Sequence, residues 1–203
     1  KAEEKFLIQL FTELQEKKNV RSNLSALRAS LKEATEEQKA QAIEFVRGHE
    51  DLVFGFLQEE DAKTRKNAAL LLGDLAVQNA LQPLWKAYTR EQTLFVKSAY
   101  LEAMKALHAE EILSQLKDRL AELEGEPVTE ENRKHWEAEL RALRAILIQY
   151  EGIDTHHFDI KQKNNHVLLV TNRNHRGILE NQTGGKAHPL GVIVQTDDLL
   201  QLL

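Results

Sequence analysis

The residues of this chain best suited to chemistry are its histidines, and five of the eight fall in the final quarter: His156, His157, His166, His175 and His188. An imidazole ligates a metal or relays a proton only when a second ligand or a carboxylate is brought to it, which on one helix face requires a spacing of three or four residues. After the first pair these histidines stand nine to thirteen residues apart, with no His-x-x-x-His or His-Glu-x-x-His among them. A metal site is therefore not expected. Thr183-Gly184-Gly185-Lys186 has part of a phosphate-cradling loop but lacks the first glycine and the hydroxyl after the lysine, so it is read as a turn. Neither Gly-x-Ser-x-Gly nor Gly-x-Gly-x-x-Gly occurs. Paired carboxylates are abundant, but on helices this acidic they form the solvated face. With no cysteine, thiol nucleophiles, disulfides and Cys-based metal or iron-sulfur sites are excluded. We expect no catalytic centre and no cofactor in these 203 residues.

The elements that would position any binding residue are written in a 32-residue self-similarity. Stepping by 32 gives Ile8, Ala40, Leu72, Met104; Phe11, Ile43, Leu75, Leu107; Val20, Leu52, Leu84, Leu116; and Leu24, Phe56, Tyr88, Leu120. All sixteen positions are apolar. The last two columns lie four residues apart, which is helical spacing, and the first two lie three apart. Each period predicts a pair of amphipathic helices that must stack on its neighbours to bury an apolar stripe, giving a mainly α chain with an α-solenoid of antiparallel helix pairs over 1–152. From Ala2 to about Gly152 there are only two prolines and five glycines, as helices require. Thr35-Glu36-Glu37-Gln38 predicts a capping box. Glu124-Gly125-Glu126-Pro127 predicts a stop and a new start at Thr129, followed by a longer terminal helix to about Tyr150.

From Ile153 onward a small strand-containing α+β segment, 153–203, is expected. Val167 to Thr171 and Gly191 to Thr196 are β-branched apolar runs that predict strands, and Phe158 to Gln162 predicts a third. Arg176 to Asn181 predicts a helical turn, and Gly184-Gly185 a loop. Asp197 and Asp198 open an apolar helix that Leu203 ends after about one turn. A domain rarely stops so, and the expectation is of an incomplete unit whose natural chain continues.

The formal charge of −5 restricts the partners. Past Ile153 five Lys/Arg balance five Asp/Glu, so the negative excess sits on the helices, which argues against gripping duplex DNA along a whole face. No apolar run approaches the roughly 20 residues that span a bilayer. A cytoplasmic protein without a membrane partner is expected; the oligomeric state is not legible.

Asp61-Ala62-Lys63-Thr64-Arg65-Lys66-Asn67-Ala68-Ala69-Leu70-Leu71-Leu72-Gly73-Asp74-Leu75, followed by Ala80-Leu81-Gln82-Pro83-Leu84, resembles the HEAT-repeat family. The next repeat departs from it, with Thr93 where Asp61 stands and Lys97 in place of Arg65. The resemblance implies that Asp61, Arg65 and Lys97 form a structural ladder between repeats. It also implies a concave surface lined by the second helix of each pair, where Trp85, Lys86, Arg90, Lys117 and Arg119 would hold a protein or nucleic acid. Arg173 and Arg176 add cations nearer the C-terminus.

The tail, with Val167-Leu168-Leu169-Val170-Thr171-Asn172-Arg173-Asn174-His175 and Pro189 to Leu199, is similar to the region preceding the THUMP-type RNA-binding part of some bacterial class I RNA methyltransferases. That similarity implies a platform for RNA or a protein partner, with S-adenosylmethionine bound only if a methyltransferase domain follows Leu203. A free-standing HEAT-repeat protein scaffold is the alternative. A HEAT-like DNA glycosylase is the remote one, disfavoured by the acidic helices and by the lack of an aromatic-plus-carboxylate pocket.

Overall fold

Leu7, Leu10 and Leu14 recur at spacings of three and four, and in the computed structural model this stripe is the buried face of the first helix. The structure describes residues 2–151, 159–163, 166–170, 173–189 and 191–195. It is mainly helical, with a small antiparallel sheet near the C-terminus, and divides into two compact units, Lys1–Ile112 and Leu113–Leu203. The domain boundary expected near Gly152 falls outside the described residues.

The first unit holds α1 (Ala2–Gln15), α2 (Val20–Leu31), α3 (Glu36–Gly48), α4 (Glu50–Phe56), α5 (Ala62–Asp74), α6 (Leu81–Arg90) and α7 (Leu94–Ala106). The expected capping box opens α3: the Thr35 hydroxyl accepts from the Gln38 N–H, and the Gln38 side chain accepts from the Thr35 N–H. Helix α5 packs against both α2 and α7, α6 packs on α7, and α1 on α2. The contact of α5 with α7 is close because residue 73 is glycine: a Cβ there would stand 2.9 Å from the Ala103 Cα. Ala76, at φ 51°, ends α5 in the left-handed region, so the Val77 N–H reaches the Leu72 carbonyl and the Ala76 N–H that of Gly73, each at 3.0 Å.

Nine of the sixteen periodic positions are buried: Leu24, Phe56, Leu72, Leu75, Leu84, Tyr88, Met104, Leu107 and Leu116. The first column departs from the expectation in its first two members. Ile8 is 61% exposed because the α1 stripe runs through Leu7, Leu10 and Leu14, and Ala40 is exposed because α3 buries Ala42 and Val46. Helix α2, a second helix by the period, lies beside the first helix α5.

In the second unit α8 (Leu113–Gly125) pairs with α9 (Arg133–Glu151). Helix α9 is the longest among the described residues, as expected, but begins four residues later than Thr129. Residues 130–132 form a turn instead, in which Thr129 and Asn132 exchange hydrogen bonds of 2.7 and 3.2 Å and the Asn132 amide donates to the Pro127 carbonyl. The Trp136 indole N–H closes the α8 terminus by donating to the Leu123 carbonyl.

Of the four strands among the described residues, three fall where expected: β1 (Asp159–Lys163), β2 (His166–Val170) and β4 (Gly191–Gln195). The helical turn is a full helix, α10 (Arg173–Thr183), and an unexpected edge strand, β3 (Lys186–His188), completes the order β1-β2-β4-β3. Helix α10 packs on β4 and on α9, with Leu179, Val192 and Val194 buried. Gly185 allows the chain past β4, since a Cβ there would meet Val192 Cγ1 at 2.5 Å and the Ile193 carbonyl oxygen at 2.6 Å. Residues 197–203, expected to open a helix, lie outside the described residues, as do His156 and His157.

Candidate partner-binding groove

Helix α2 buries Asn23, Leu24, Leu27 and Leu31, which leaves Arg21, Ser22 and Ser25 on its other face. In the same way α5 turns Thr64, Ala68, Leu71 and Leu72 inward, leaving Lys63, Lys66 and Asn67 along one edge. On α7, Val96, Ala99 and Tyr100 are buried while Phe95 remains 47% exposed. These seven outward residues line one open groove of about 700 Å³ across the three helices.

The groove is cationic in a chain whose net charge is negative. Its lining holds three cations, no carboxylate, two hydroxyls, one amide and a phenyl ring. Arg21 approaches Asp61 at 3.5 Å, an exposed pair of the kind that contributes little. Asp61 is otherwise engaged: its Oδ2 accepts from the Thr64 N–H and hydroxyl, at 2.9 and 2.7 Å, as the N-cap of α5. The Thr64 hydroxyl above all holds the Asp61 carboxyl below the usual carboxylate range, with smaller help from Arg21 and Lys63. Lys63 and Lys66 form no ion pair among the described residues, unlike Arg28, Arg65, Arg119 and Arg144, each of which has a carboxylate at 3.0 Å or less. Such a lining sets positive charge and hydrogen-bond donors beside an exposed apolar ring.

The residues singled out in the sequence are distributed differently. Trp85, Lys86 and Arg90 share α6, where the half-buried Trp85 ring packs on Tyr88 at 5.3 Å while Lys86 and Arg90 are exposed. Lys117 and Arg119 belong to α8, in the other unit. Arg119 is consumed in structure: it donates to both Glu139 oxygens and bridges to Glu122 and Glu126. Arg173 lies on α10; its side chain is not among the described groups. Arg176, half-buried, donates to the Pro189 carbonyl at 2.9 Å.

Of the ladder residues, Asp61 caps α5 and reaches back to Arg21 of α2. Arg65 pairs with Glu91, just past α6, at 2.8 and 3.0 Å, and donates to the carbonyls of Glu59 and Glu60. Lys97 sits over the Tyr88 ring at 5.7 Å. Each holds one helix to another part of the first unit.

One signal of the groove is present in the sequence. Stepping 32 residues from Lys63 arrives at Phe95, so the two occupy equivalent places on α5 and α7, which pack side by side. Among the described residues no cluster of histidines and carboxylates is arranged to hold a metal, and no helix is long and apolar enough to cross a membrane. No protein-family model, curated protein or solved structure matches the chain.

Proposed function

We propose that this chain is a non-catalytic helical-repeat platform of HEAT-like pairs that holds a polyanionic partner, RNA or an acidic protein, through the α2/α5/α7 groove. The observation that carries this reading is the pair Lys63 and Lys66, two cations that form no ion pair among the described residues and line an open concavity of an acidic chain. Ammonium groups left so are available to an incoming anion at no cost in broken ion pairs. The side-by-side placement of α5 and α7 supports the repeat, since Lys63 and Phe95, 32 residues apart, line one groove. The lining residues include no histidine or carboxylate to serve Ser22 or Ser25 as a base.

Retention on immobilised heparin at about 50 mM salt tests the reading, because a polyanion matrix repels a protein of net charge −5 unless a local cationic site engages it. The unaltered chain is expected to be retained, and K63E/K66E, folded by circular dichroism, to flow through. Passage of the unaltered chain, or equal retention of the variant, contradicts the proposal.

A further inference from the structure

We infer that the occupant of this groove is a single-stranded nucleic acid, with its phosphates on Arg21, Lys63 and Lys66 and a base stacked on Phe95. The inference rests on the platform reading and adds the chemical class of its partner.

Charge alone asks only for an anion. Phe95 asks for more: a phenyl ring 47% exposed within a cationic groove meets a partner carrying a flat apolar face between its charges. A single strand has that alternation, a base for every phosphate, and each base stacks on an aromatic side chain whatever its identity. Lys63 and Phe95, at equivalent places on adjacent helices, set a phosphate contact and a stacking contact side by side across the α5–α7 packing distance of roughly 8–10 Å.

Size and polarity agree. At about 700 Å³ the groove exceeds what one free phosphate fills and lies within the roughly 300–1,000 Å³ of small-molecule and cofactor sites. Ser22, Ser25 and Asn67 supply hydroxyl and amide groups able to donate to phosphate or to base edges without selecting one sequence. A duplex satisfies the cations but keeps its base faces in its own stack, leaving Phe95 without a partner. An acidic peptide satisfies the cations too, and does not require an aromatic ring beside them.

The test is fluorescence anisotropy on the full chain with three probes: a 12-nucleotide single-stranded RNA of mixed sequence, the same sequence as a duplex, and a 12-residue glutamate peptide. The single strand is expected to bind most tightly, with a slope of log Kobs on log salt near −2, about −0.7 for each of three neutralised phosphates. K63Q/K66Q should move that slope to roughly −0.7. Phe95→Ala should weaken binding roughly 5- to 150-fold and leave the slope unchanged, Phe95→Trp should preserve affinity, and Phe95→Leu should not restore it. Circular dichroism of each variant separates binding from folding. Equal or tighter binding of the peptide or the duplex, or an affinity indifferent to Phe95→Ala while the lysine variant fails, overturns this inference and leaves the polyanion platform standing. Failure on heparin as well would remove both.

Discussion

Arg65 holds Glu91 through two parallel hydrogen bonds, Nε to Oε1 at 2.8 Å and Nη2 to Oε2 at 3.0 Å, in a pair where Glu91 is only 6% exposed at its side chain. The remaining Nη1 donates to the Glu59 and Glu60 carbonyls, so one guanidinium ties the turn before α5 to the end of α6. Removing one partner strands a buried charge. Arg65→Ala or Glu91→Ala should each cost about 3 kcal/mol, whereas replacing both by Met and Leu should cost far less, because desolvation is relieved together with the attraction. Urea titration of the three variants checks this; equal costs for the singles and the double would contradict it.

Tyr100 touches the same pair, its hydroxyl 3.4 Å from Glu91 Oε1 and from the Leu57 carbonyl. Burial first, then the charge of Glu91, pushes its phenol well above the ordinary value. An acid whose folded pKa is raised ionises more readily unfolded, so its contribution to stability is complete below the unfolded value near 10 and is lost as pH rises beyond it. The stability of the unaltered chain should therefore fall more steeply above about pH 10 than that of Tyr100→Phe. Denaturant midpoints from pH 8 to 11 measure this, and parallel curves would contradict it.

Gly73 and Ala76 should respond to substitution with reversed signs. In an open helix Gly→Ala stabilises by about 0.5–1 kcal/mol, but at Gly73 the new methyl meets the Ala103 backbone, and a loss of about 1–3 kcal/mol is expected. Ala76→Gly removes left-handed strain of about 1–2 kcal/mol against an unfolded-state entropy of about 0.4–1 kcal/mol, for a net gain of about 0.5 kcal/mol. Thermal unfolding of both variants checks the pair of signs.

Leu72 and Ile8 stand in the same column of the 32-residue period and should behave differently. Leu72→Ala, in the core beneath α5, should cost about 2–5 kcal/mol; Ile8→Ala, 61% exposed, should stay within about 0.5 kcal/mol. Comparable costs would mean that the helix faces are misplaced.

Features set by local chemistry were legible in the sequence. The capping box at Thr35 and Gln38, and the β-branched runs that became β2 and β4, depend on residues near one another in the chain. The polar Lys186-Ala187-His188 carries no strand pattern; it is extended because β4 offers it an edge. The rotation of α1 by one residue, which exposes Ile8, is decided by whether the Leu7 or the Ile8 stripe meets α2, and both are apolar. Trp85 was an attractive anchor by type, yet its ring is partly spent on Tyr88. The groove escaped notice because Arg21 is 42 residues from Lys63, and only the packing of α2 on α5 joins them.

Hydroxyl-radical footprinting of the full chain with and without a heparin oligosaccharide tests most directly whether the groove is the contact face. Phe95 and Trp85 are both reactive rings on the first unit, one in the groove and one on α6. Protection of Phe95 with Trp85 unchanged is the predicted result. Protection of Trp85 with Phe95 still oxidised, or no change at either ring, would contradict it.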